Sequence, residues 1–325
     1  MEIKVLKTFE LTDKDWEQVI AGFNCTFDRT TTKERQLIVY QSNVFGYAYH
    51  AIGYEDDKVI AFTTILPYHY VHDQQGFNAG LNCSLFVLKE YRNDVFIYKD
   101  MIDALKTECL KEGFSVFMGV PNPVSHRYSI VFLGSKEIGY LPYYVLPFRV
   151  FATLKKSRYQ WLDSLSVCCV ALYCFANKLF SLLFNFKEKR SEYRLLITEA
   201  FLQKRFSAPC YSFYEHQKIQ SRYRLMDEKG VKTAYLMDFR ENGNRTSKAL
   251  CAAIWHILRK ERVDMVLFVG TLPMKQGLLF KIPAKRAPKP LPFTYNIIDD
   301  EKKEQFVSMS DLRSWDFSLM NFDGR

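Results

Sequence analysis

The residues best suited to chemistry follow a short apolar run, FSVFMGV, at positions 114–120. The run ends at Pro121, and a polar residue, Asn122, comes directly after it. A side chain at the end of a buried strand would face a cleft, unless it caps the next helix. His126 follows closely, and an imidazole titrates near neutral pH, so it could act as a base or bind a carboxylate. Both residues are candidate catalytic residues, with capping or surface positions as the alternative.

Signature motifs of several other enzyme classes are absent from the sequence. It has no HExxH or HxxxH metal motif, no GxSxG elbow and no Walker A loop. We therefore disfavour serine hydrolases, NTPases and metal catalysis, and we expect no metal site. The eight cysteines form no CxxC pair and mostly lie in apolar runs, which predicts buried, reduced thiols.

Length and composition indicate a folded chain of two domains. At 325 residues the chain exceeds the size of a single hydrophobic core, and 48% hydrophobic residues can fill two. The formal net charge of +9 favours an anionic partner, such as a membrane surface or a polyphosphate cofactor. The sequence lacks an arginine-rich tail and RNP-like aromatic motifs, so no nucleic acid is expected. The charged N-terminus lacks the apolar core of a signal peptide, which predicts a cytoplasmic protein.

The first half has the pattern of an α/β unit. Alternating residues predict a strand over 2–8, and Thr12 is suited to cap a helix after it. Turn-like residues separate three strand-like runs, which predicts an antiparallel meander over 46–54, 58–71 and 77–88. A long helix ending at Gly113, the buried strand, a helix over 125–132 and a strand-rich segment to residue 150 would follow.

The middle of the chain, residues 153–192, differs from both flanks. An apolar stretch over 162–186 is interrupted only by Asp163 and Lys178, and the basic sequences KKSR and KEKR flank it. We rank a helix buried between two domains first. An interfacial helix on an anionic membrane is the second interpretation. A membrane-spanning helix comes last, because Lys178 would lie within the bilayer.

The α/β pattern then recurs from residue 193 onward. Strands are predicted within 222–228, 232–239 and 264–270, with a helix over 246–260 between the last two. Prolines in 280–298 predict two extended segments confined to edges or turns. Residues 240–246 lie where a phosphate-binding loop could precede a helix, but they also fit a simple turn. We therefore expect ligand binding there less than in the first half. The predicted units are domain 1–152, linker 153–192 and domain 193–325.

This order of elements over residues 1–150 resembles that of the GCN5-related N-acetyltransferase (GNAT) superfamily. The segment EGFSVFMGVPNPVSHRYSIVFLGSKEIGYLPYYVLP and the ending SWDFSLMNFDGR also resemble tandem acetyltransferase-like proteins of bacterial surface-polysaccharide gene sets. The resemblance implies an α/β fold of two tandem GNAT-like domains, each a mixed, mostly antiparallel sheet flanked by helices. It also implies that acyl-CoA lies where strand 82–88 diverges from its parallel neighbour, 114–120.

The resemblance further implies where the cofactor binds. In the family, amides at a helix N-terminus hold the CoA pyrophosphate, in the pattern Arg or Gln, two residues, Gly, one residue, Gly or Ala. This chain keeps the arginine but lacks both small residues, and Asp94 would repel phosphate unless it caps the helix. The implied acyl-CoA-binding residues are Leu85, Phe86, Val87, Arg92, Asn93, Asp94, Val95, Phe96 and Ile97.

The family commonly protonates the leaving CoA thiolate from a tyrosine in the helix after the buried strand. Tyr128 matches that position, which gives Tyr128, His126 and Asn122 as the catalytic candidates. Packing of Tyr128 against Phe132 is the alternative. A second cluster, His69, His72 and Asp73, would lie near the acceptor in this fold, although an exposed hairpin is the preferred interpretation there.

The predicted function is transfer of an acetyl or other acyl group from CoA to a small-molecule amine. The resemblance suggests an amino sugar in surface-glycan biosynthesis as that acceptor. A cytoplasmic location is expected, with peripheral membrane contact through 155–190 as an option. Two alternatives stay open: a Fem-like aminoacyl transferase, and a non-catalytic GNAT-fold binding module that has lost CoA binding.

Overall fold

The structure, a computed structural model, describes residues 1–27, 30–187, 191–272 and 274–322. It is a mixed α/β protein with two sheets flanked by helices. The elements up to the long apolar helix are, in chain order, β1 (Glu2–Lys7), α1 (Asp13–Phe27), α2 (Lys33–Tyr40), β2 (Tyr49–Glu55), β3 (Lys58–His72), β4 (Gln75–Val87), α3 (Ile97–Lys111), β5 (Phe114–Gly119), α4 (Pro123–Val131), β6 (Lys136–Tyr140), β7 (Tyr143–Pro147), α5 (Val150–Thr153) and α6 (Asp163–Leu183).

The remaining elements repeat the α/β pattern. They are β8 (Tyr193–Leu195), α7 (Glu199–Arg205), β9 (Tyr211–His216), β10 (Ile219–Glu228), β11 (Val231–Glu241), α8 (Ser247–Lys260), β12 (Met265–Val269), β13 (Phe280–Lys281), β14 (Pro292–Ile297) and β15 (Trp315–Asp316). The predicted caps form: the Thr12 hydroxyl accepts from the Asp15 amide, and the Thr246 hydroxyl accepts from the Ala249 amide.

The first sheet has nine strands among the described residues, with the main order β1-β2-β3-β4-β5-β14-β6. Strands β2 to β4 form the predicted antiparallel meander, β1 pairs with β2 on its other side, and β5 runs parallel to β4. Successive residues of a strand point to opposite faces. Accordingly, Phe62 packs in the core beneath α1, whereas Ala61 packs in the core beneath α3. The sheet is therefore covered on both faces.

Each sheet includes strands from both parts of the chain. Strand β14, from the C-terminal part of the chain, lies between β5 and β6 of the first sheet. Strand β7 lies in the second sheet, whose order is β13-β7-β12-β11-β10-β9. The domain boundaries at residues 152 and 193 stay a prediction. Each sheet, however, contains strands from before residue 152 and from after residue 193. The strand-rich segment expected to complete the first unit is in fact two strands in different sheets.

One local expectation was wrong. The prolines of 280–298 place β13 at a sheet edge, as predicted, but β14 is an internal strand. Pro292 is tolerated because it is the first residue of β14, and the rest of the strand contains no proline. The polar stretch near residue 33, for which no element was predicted, forms α2, whose cap is the Thr32 hydroxyl.

Helix α6 lies on the surface of the molecule, so our preferred interpretation of a helix buried between domains is wrong. Only Asp163, Cys174 and Ser181 are buried along it. The inner side packs on α8, and most of its large apolar side chains are exposed. The thiols were also expected to be buried; Cys109, Cys174 and Cys251 are, whereas Cys25, Cys168, Cys169 and Cys210 are exposed.

One histidine of the core is held neutral by its surroundings. His50 is fully buried in β2, and its two ring nitrogens each lie 2.9 Å from a threonine hydroxyl, those of Thr8 and Thr64. Burial lowers the pKa of His50 to about 3. Between pH 6.5 and pH 3 the unfolded chain therefore binds a proton that the folded chain does not, and stability falls as the pH drops.

Replacing this histidine tests the effect. Because of the low pKa of His50, the unfolding free energy of the wild-type protein should fall by about 2 kcal/mol between pH 7 and pH 5. We expect His50→Gln to lose about 2 kcal/mol less than wild type over this interval in urea unfolding at the two pH values. His216→Gln, at an exposed position of β9, should keep the wild-type pH dependence. Parallel pH profiles for wild type and His50→Gln would contradict the assignment.

Candidate functional site

An opening lies between β4 and β5, where we predicted it. Their parallel pairing runs from Asn78 opposite Phe114 to Asn82 opposite Gly119 and ends there. Strand β4 continues to Val87 paired only with β3, while the chain after β5 turns into α4. The edge of β4 beyond Asn82 thus has no strand beside it on the β5 side, within the residues that the structure describes.

A β-bulge in β4 accompanies this separation. Cys83 pairs with Thr64 and Phe86 pairs with Phe62, so β4 carries one more residue than β3 across this interval. Ser84 adopts a positive φ of 55° within the bulge. Bulges bend a strand and increase its twist, and they are common beside active sites. The bulge accounts physically for the divergence of β4 from β5.

Polar side chains meet at the base of the opening. The Asn82 side-chain amide donates to the Tyr98 hydroxyl at 2.7 Å, and the Thr63 hydroxyl donates to the Asn82 carbonyl oxygen at 3.3 Å. Burial raises the pKa of Tyr98 to about 12, so this hydroxyl stays protonated. Sequence reasoning missed Asn82 and Tyr98 as site residues. Their only signal was a polar residue at the predicted point of divergence.

The loop that we expected to bind phosphate leads directly into the N-terminus of α3. The first intrahelical bond runs from the Asp100 amide to the Phe96 carbonyl, so the three amides before Asp100 have no acceptor within the helix. The Asp94 carboxylate accepts from the Phe96 amide at 2.9 Å, in a local turn. Asp94 therefore occupies one amide of the loop and adds a negative charge beside it.

The other predicted cofactor residues divide into two groups. Leu85 and Val87 pack against one core and Phe86 against the other, so only their backbone can line the opening. Residues 92–96 are all exposed, whereas Ile97 is buried in the core beneath α3. The Arg92 side chain folds back, and its Nε donates to the Val87 carbonyl at 2.9 Å.

Tyr128 joins the two sides of the opening. Its hydroxyl, on α4, donates to the Val95 carbonyl in the loop before α3. Its ring also stacks on Phe132, with centroids 4.5 Å apart, which is the packing that we weighed as the alternative. Burial, and then the nearby charge of Asp94, raise the pKa of Tyr128 above its usual value. Tyr128 is therefore a protonated hydroxyl at the mouth of the opening.

The other two catalytic candidates have structural partners. The side-chain oxygen of Asn122 accepts from the amides of Val124 and Ser125 at 3.0 Å each, so Asn122 caps α4. The His126 Nε2 lies 2.9 Å from the Glu137 carboxylate of β6. These contacts anchor α4 beside the opening.

The cluster at the end of β3 lies elsewhere. His69 and His72 are near the start of β5, at the opposite end of the parallel pair from Asn82. His69 Nδ1 lies 2.7 Å from the Asn78 oxygen, and the His72 ring stacks on Tyr193 with centroids 4.4 Å apart. Both histidines are partly buried rather than exposed. The structure does not bring them to the opening.

Known structures match this architecture, although neither a protein-family model nor a curated protein matches the sequence. A GCN5-related N-acetyltransferase from Anabaena variabilis aligns with a TM-score of 0.57 at 10% identity, over 92% of this chain and 73% of its own. One from Kribbella flavida aligns with a TM-score of 0.55 at 10% identity, over 92% and 72%. A probable N-acyltransferase from Enterococcus faecalis aligns with a TM-score of 0.56 at 12% identity, over 92% and 73%. This chain has the GNAT fold. The fold predicted from the sequence is confirmed.

The second sheet repeats the GNAT opening. Strands β11 and β12 are parallel and pair only from Thr233 to Tyr235 on β11, although β11 continues to Glu241. The register with β10 shifts at Arg222, which leaves one extra residue on β11, as in the bulge of β4. The second half therefore has the same divergence of its two central parallel strands.

This second opening is filled by the chain itself. The Gly270 amide donates to Pro142 on the β7 side, so the neighbouring Val269 carbonyl and Thr271 amide point to the β11 side. There the Leu319 amide donates to Val269 at 3.1 Å, and the Thr271 amide donates to Phe317 at 2.8 Å. We call residues 317–321 the internal segment; all of them are buried.

Buried charges hold the internal segment in place. Arg245, which is fully buried, donates to the Asp316 carboxylate at 2.5 Å and to the Ser318 hydroxyl at 3.3 Å. On α7, Arg205 donates to the carbonyls of Leu319 and Met320. Burial alone would raise the pKa of Asp238, but the arginines around it hold that pKa below its usual value. The second half of this GNAT fold thus binds its own chain where the first half is open.

A glycine substitution tests whether the internal segment fills the second opening. A Cβ at Gly270 would lie 2.4 Å from the Phe317 carbonyl oxygen, whereas a Cβ at Gly230 meets nothing within 4 Å. Both glycines have positive φ, so both substitutions by alanine carry backbone strain. We expect Gly270→Ala to lower the unfolding free energy by at least about 2 kcal/mol more than Gly230→Ala. Equal losses in urea unfolding would mean that the internal segment does not occupy the second opening.

Proposed function

We propose that the protein is an acyltransferase that binds acyl-CoA in the opening between β4 and β5 and transfers the acyl group to an amine. The observation that carries the proposal is the divergence of these strands directly beside the free amides of α3, in a chain with the GNAT fold. The similar structures named above are described as N-acetyltransferases or a probable N-acyltransferase, which supports this reaction class.

Local chemistry supports binding of acyl-CoA in the opening. The free edge of β4 beyond Asn82 offers backbone donors and acceptors to an extended chain that contains amides. The amides at the start of α3 suit an anion because the helix dipole is positive there. Asp94 opposes phosphate, so affinity in this chain should be lower than the same loop would give without that carboxylate.

The reaction requires two proton transfers. The amine nitrogen attacks the thioester carbonyl, the carbon–sulfur bond breaks, and the thiolate takes up a proton while the amine loses one. We assign the donated proton to Tyr128, whose raised pKa keeps it protonated at neutral pH. His126, paired with Glu137, is our candidate base. Asn122 would act by positioning α4 as its cap.

The acceptor class rests on the sequence resemblance. It suggests a small amine, such as an amino sugar of a surface glycan, in a cytoplasmic reaction. The internal segment occupies the second opening, so a single acyl-CoA per chain is proposed, with the second half contributing to the acceptor side.

Titration with CoA tests the cofactor proposal. We expect one CoA per chain in calorimetry, and about 2.7 kcal/mol of added stability at a hundred times the dissociation constant. Asp94→Asn removes the opposing charge but keeps the oxygen that accepts from Phe96. It should tighten binding about fivefold at low salt, because a charge at close range in water is worth about 1 kcal/mol.

The matched control is Asp73→Asn, which removes an exposed carboxylate at the far end of β3 and β4. It should leave CoA affinity unchanged. No stabilisation at millimolar CoA would contradict the enzyme and favour the non-catalytic binding module.

Removal of a single hydroxyl tests the proton donor. With the amine acceptor that releases CoA fastest, Tyr128→Phe should lower kcat by about a hundredfold or more, because general acid catalysis typically contributes 10²–10⁴. CoA affinity should change less than about threefold, since one hydrogen bond to Val95 is lost. Tyr140→Phe, an exposed tyrosine of β6, is the control. Unchanged turnover in Tyr128→Phe would remove this residue from the mechanism.

The Fem-like alternative requires a different donor substrate. Aminoacyl transfer would require binding of charged tRNA, and that binding should weaken steeply as salt rises. Salt-sensitive binding of aminoacyl-tRNA together with no response to CoA would replace the proposed donor by this one.

A further inference from the structure

A continuous apolar stripe runs along the outer side of α6. Its residues recur three or four positions apart, which places them on one face of the helix. All of them are exposed, and Leu172 retains 71% of its accessible surface. The members of this α6 stripe are Leu165, Cys168, Cys169, Leu172, Phe175, Ala176, Leu179, Leu182 and Leu183.

The inner side of α6 combines polar side chains with apolar ones that pack on the core of the second sheet. The buried Asp163 carboxylate accepts from the amides of Phe151 and Ala152, at 2.9 and 3.1 Å. The Ser181 hydroxyl, also buried, donates to a carbonyl of the helix itself. A surface helix normally buries its apolar face. Helix α6 carries a second apolar face on its outer side, which indicates that the stripe has a partner, because exposed patches of this kind mark interaction sites.

Aromatic residues extend the stripe at its edges. Trp161, just before α6, is 75% exposed. The ring of Phe280 stacks on Tyr173 of α6, with centroids 6.0 Å apart, and Phe280 is itself exposed. Tryptophan and phenylalanine beside an apolar helix face are typical of segments that lie at a lipid–water interface.

The charges around the stripe are nearly all positive. Residues 155–187 contain one acidic residue, Asp163, which is buried. The exposed cations of this stretch are Lys155, Lys156, Arg158, Lys178 and Lys187. The segment 274–290, which begins beside α6 and includes Phe280, contains no acidic residue. Its cations, all exposed, are Lys275, Lys281, Lys285, Arg286 and Lys289. The remaining basic residues of the predicted flank, Lys189 and Arg190, lie outside the described residues.

We propose that the α6 stripe binds the surface of an anionic membrane, with the helix lying in the plane of the interface. Apolar burial in the headgroup region would supply the main affinity, and the surrounding cations would add to it by contact with anionic lipid. A second copy of the chain is a poorer partner, because two stripes surrounded by the same cations would repel one another. This inference does not depend on the proposed acyltransfer.

Attachment of both helix ends favours a helix that lies on the membrane over one that spans it. The segment Arg158–Leu183 is long and apolar enough to cross a bilayer. However, the chain just after α6 is hydrogen-bonded to the start of α8, where the Ser247 amide donates to the Phe186 carbonyl at 2.9 Å. At the start, the Asp163 carboxylate accepts from two amides of α5. Spanning would break both connections and the packing on α8.

Vesicle binding tests the proposal with the full-length protein. We expect flotation with vesicles of 70% phosphatidylcholine and 30% phosphatidylglycerol, and little flotation with phosphatidylcholine alone. Binding should weaken at 0.5 M salt, as surface charges become screened. Trp161 is 75% exposed, whereas Trp16 and Trp315 are buried and Trp255 is partly buried, so binding should shift mainly the Trp161 emission to shorter wavelength. Trp161→Phe should abolish most of that shift.

Variants separate the two contributions. Leu172→Glu with Leu179→Glu should lower the partition coefficient by about a hundredfold or more, because two apolar side chains are no longer buried. Lys155→Gln with Lys156→Gln should lower it about tenfold, and only for anionic vesicles. Val307→Glu, an exposed apolar residue outside α6, is the matched control and should bind as wild type does. Far-ultraviolet circular dichroism and urea unfolding confirm that each variant is folded.

Three outcomes would overturn the proposal. The first is no binding to anionic vesicles at low salt. The second is a dimer in sedimentation equilibrium that Leu172→Glu with Leu179→Glu dissociates, which would assign the stripe to a second copy. The third is protein that remains with the vesicles after alkaline carbonate extraction, which would indicate a spanning helix.

Discussion

The parallel pairing of β4 and β5 ends after Asn82 and Gly119, and the backbone groups beyond that point need another partner. A strand edge inside a protein must be paired with water, with a ligand or with more chain. The first half leaves its edge open beside the N-terminus of α3. The second half satisfies the same need with residues 317–321. Both openings have the same backbone geometry, and they differ in what lies inside them.

Exchange of strands fixes the far wall of each opening. Thr294 of β14 donates its hydroxyl to the Gly119 carbonyl, at the point where β5 leaves β4. Pro142, just before β7, accepts from Gly270 at the end of β12. Each half therefore supports the strand that borders the opening of the other half. The halves could not be separated without loss of one wall from each opening, so the exchange makes the chain one structural unit.

Local signals were sufficient to predict most elements but not their partners. The meander, the helix ending at Gly113 and the cap at Thr246 all follow from periodicity and turn residues. The position of β14 does not, because its contact with β5 joins Thr294 to a residue 175 positions earlier. The internal segment could not be predicted for the same reason. Its fixation depends on Arg245 and Asp316, which are 71 positions apart in a chain rich in both charges.

The candidate site was predicted in outline, and its contacts were not. The arginine pattern identified the loop at 92–97, but the sequence could not show that Arg92 folds back onto β4 or that Asp94 takes up one amide. Tyr128 was selected by its helix, whereas its hydroxyl contact with Val95 depends on how α3 and α4 approach across the opening. Such contacts are set by tertiary packing, which a single sequence does not specify.

Helix α6 shows the limit of composition as a guide. Its apolar sequence is compatible with a buried, an interfacial or a spanning helix, and only the direction of its side chains decides. Because Asp163 and Ser181 face the protein, the leucines cannot also be buried without a second partner on the outside. The stripe shares no residue with the opening between β4 and β5. A surface that binds lipid and a cleft that binds a nucleotide thioester would therefore be separable by substitution, and a protein attached through α6 would retain residues 92–96 for its own chemistry.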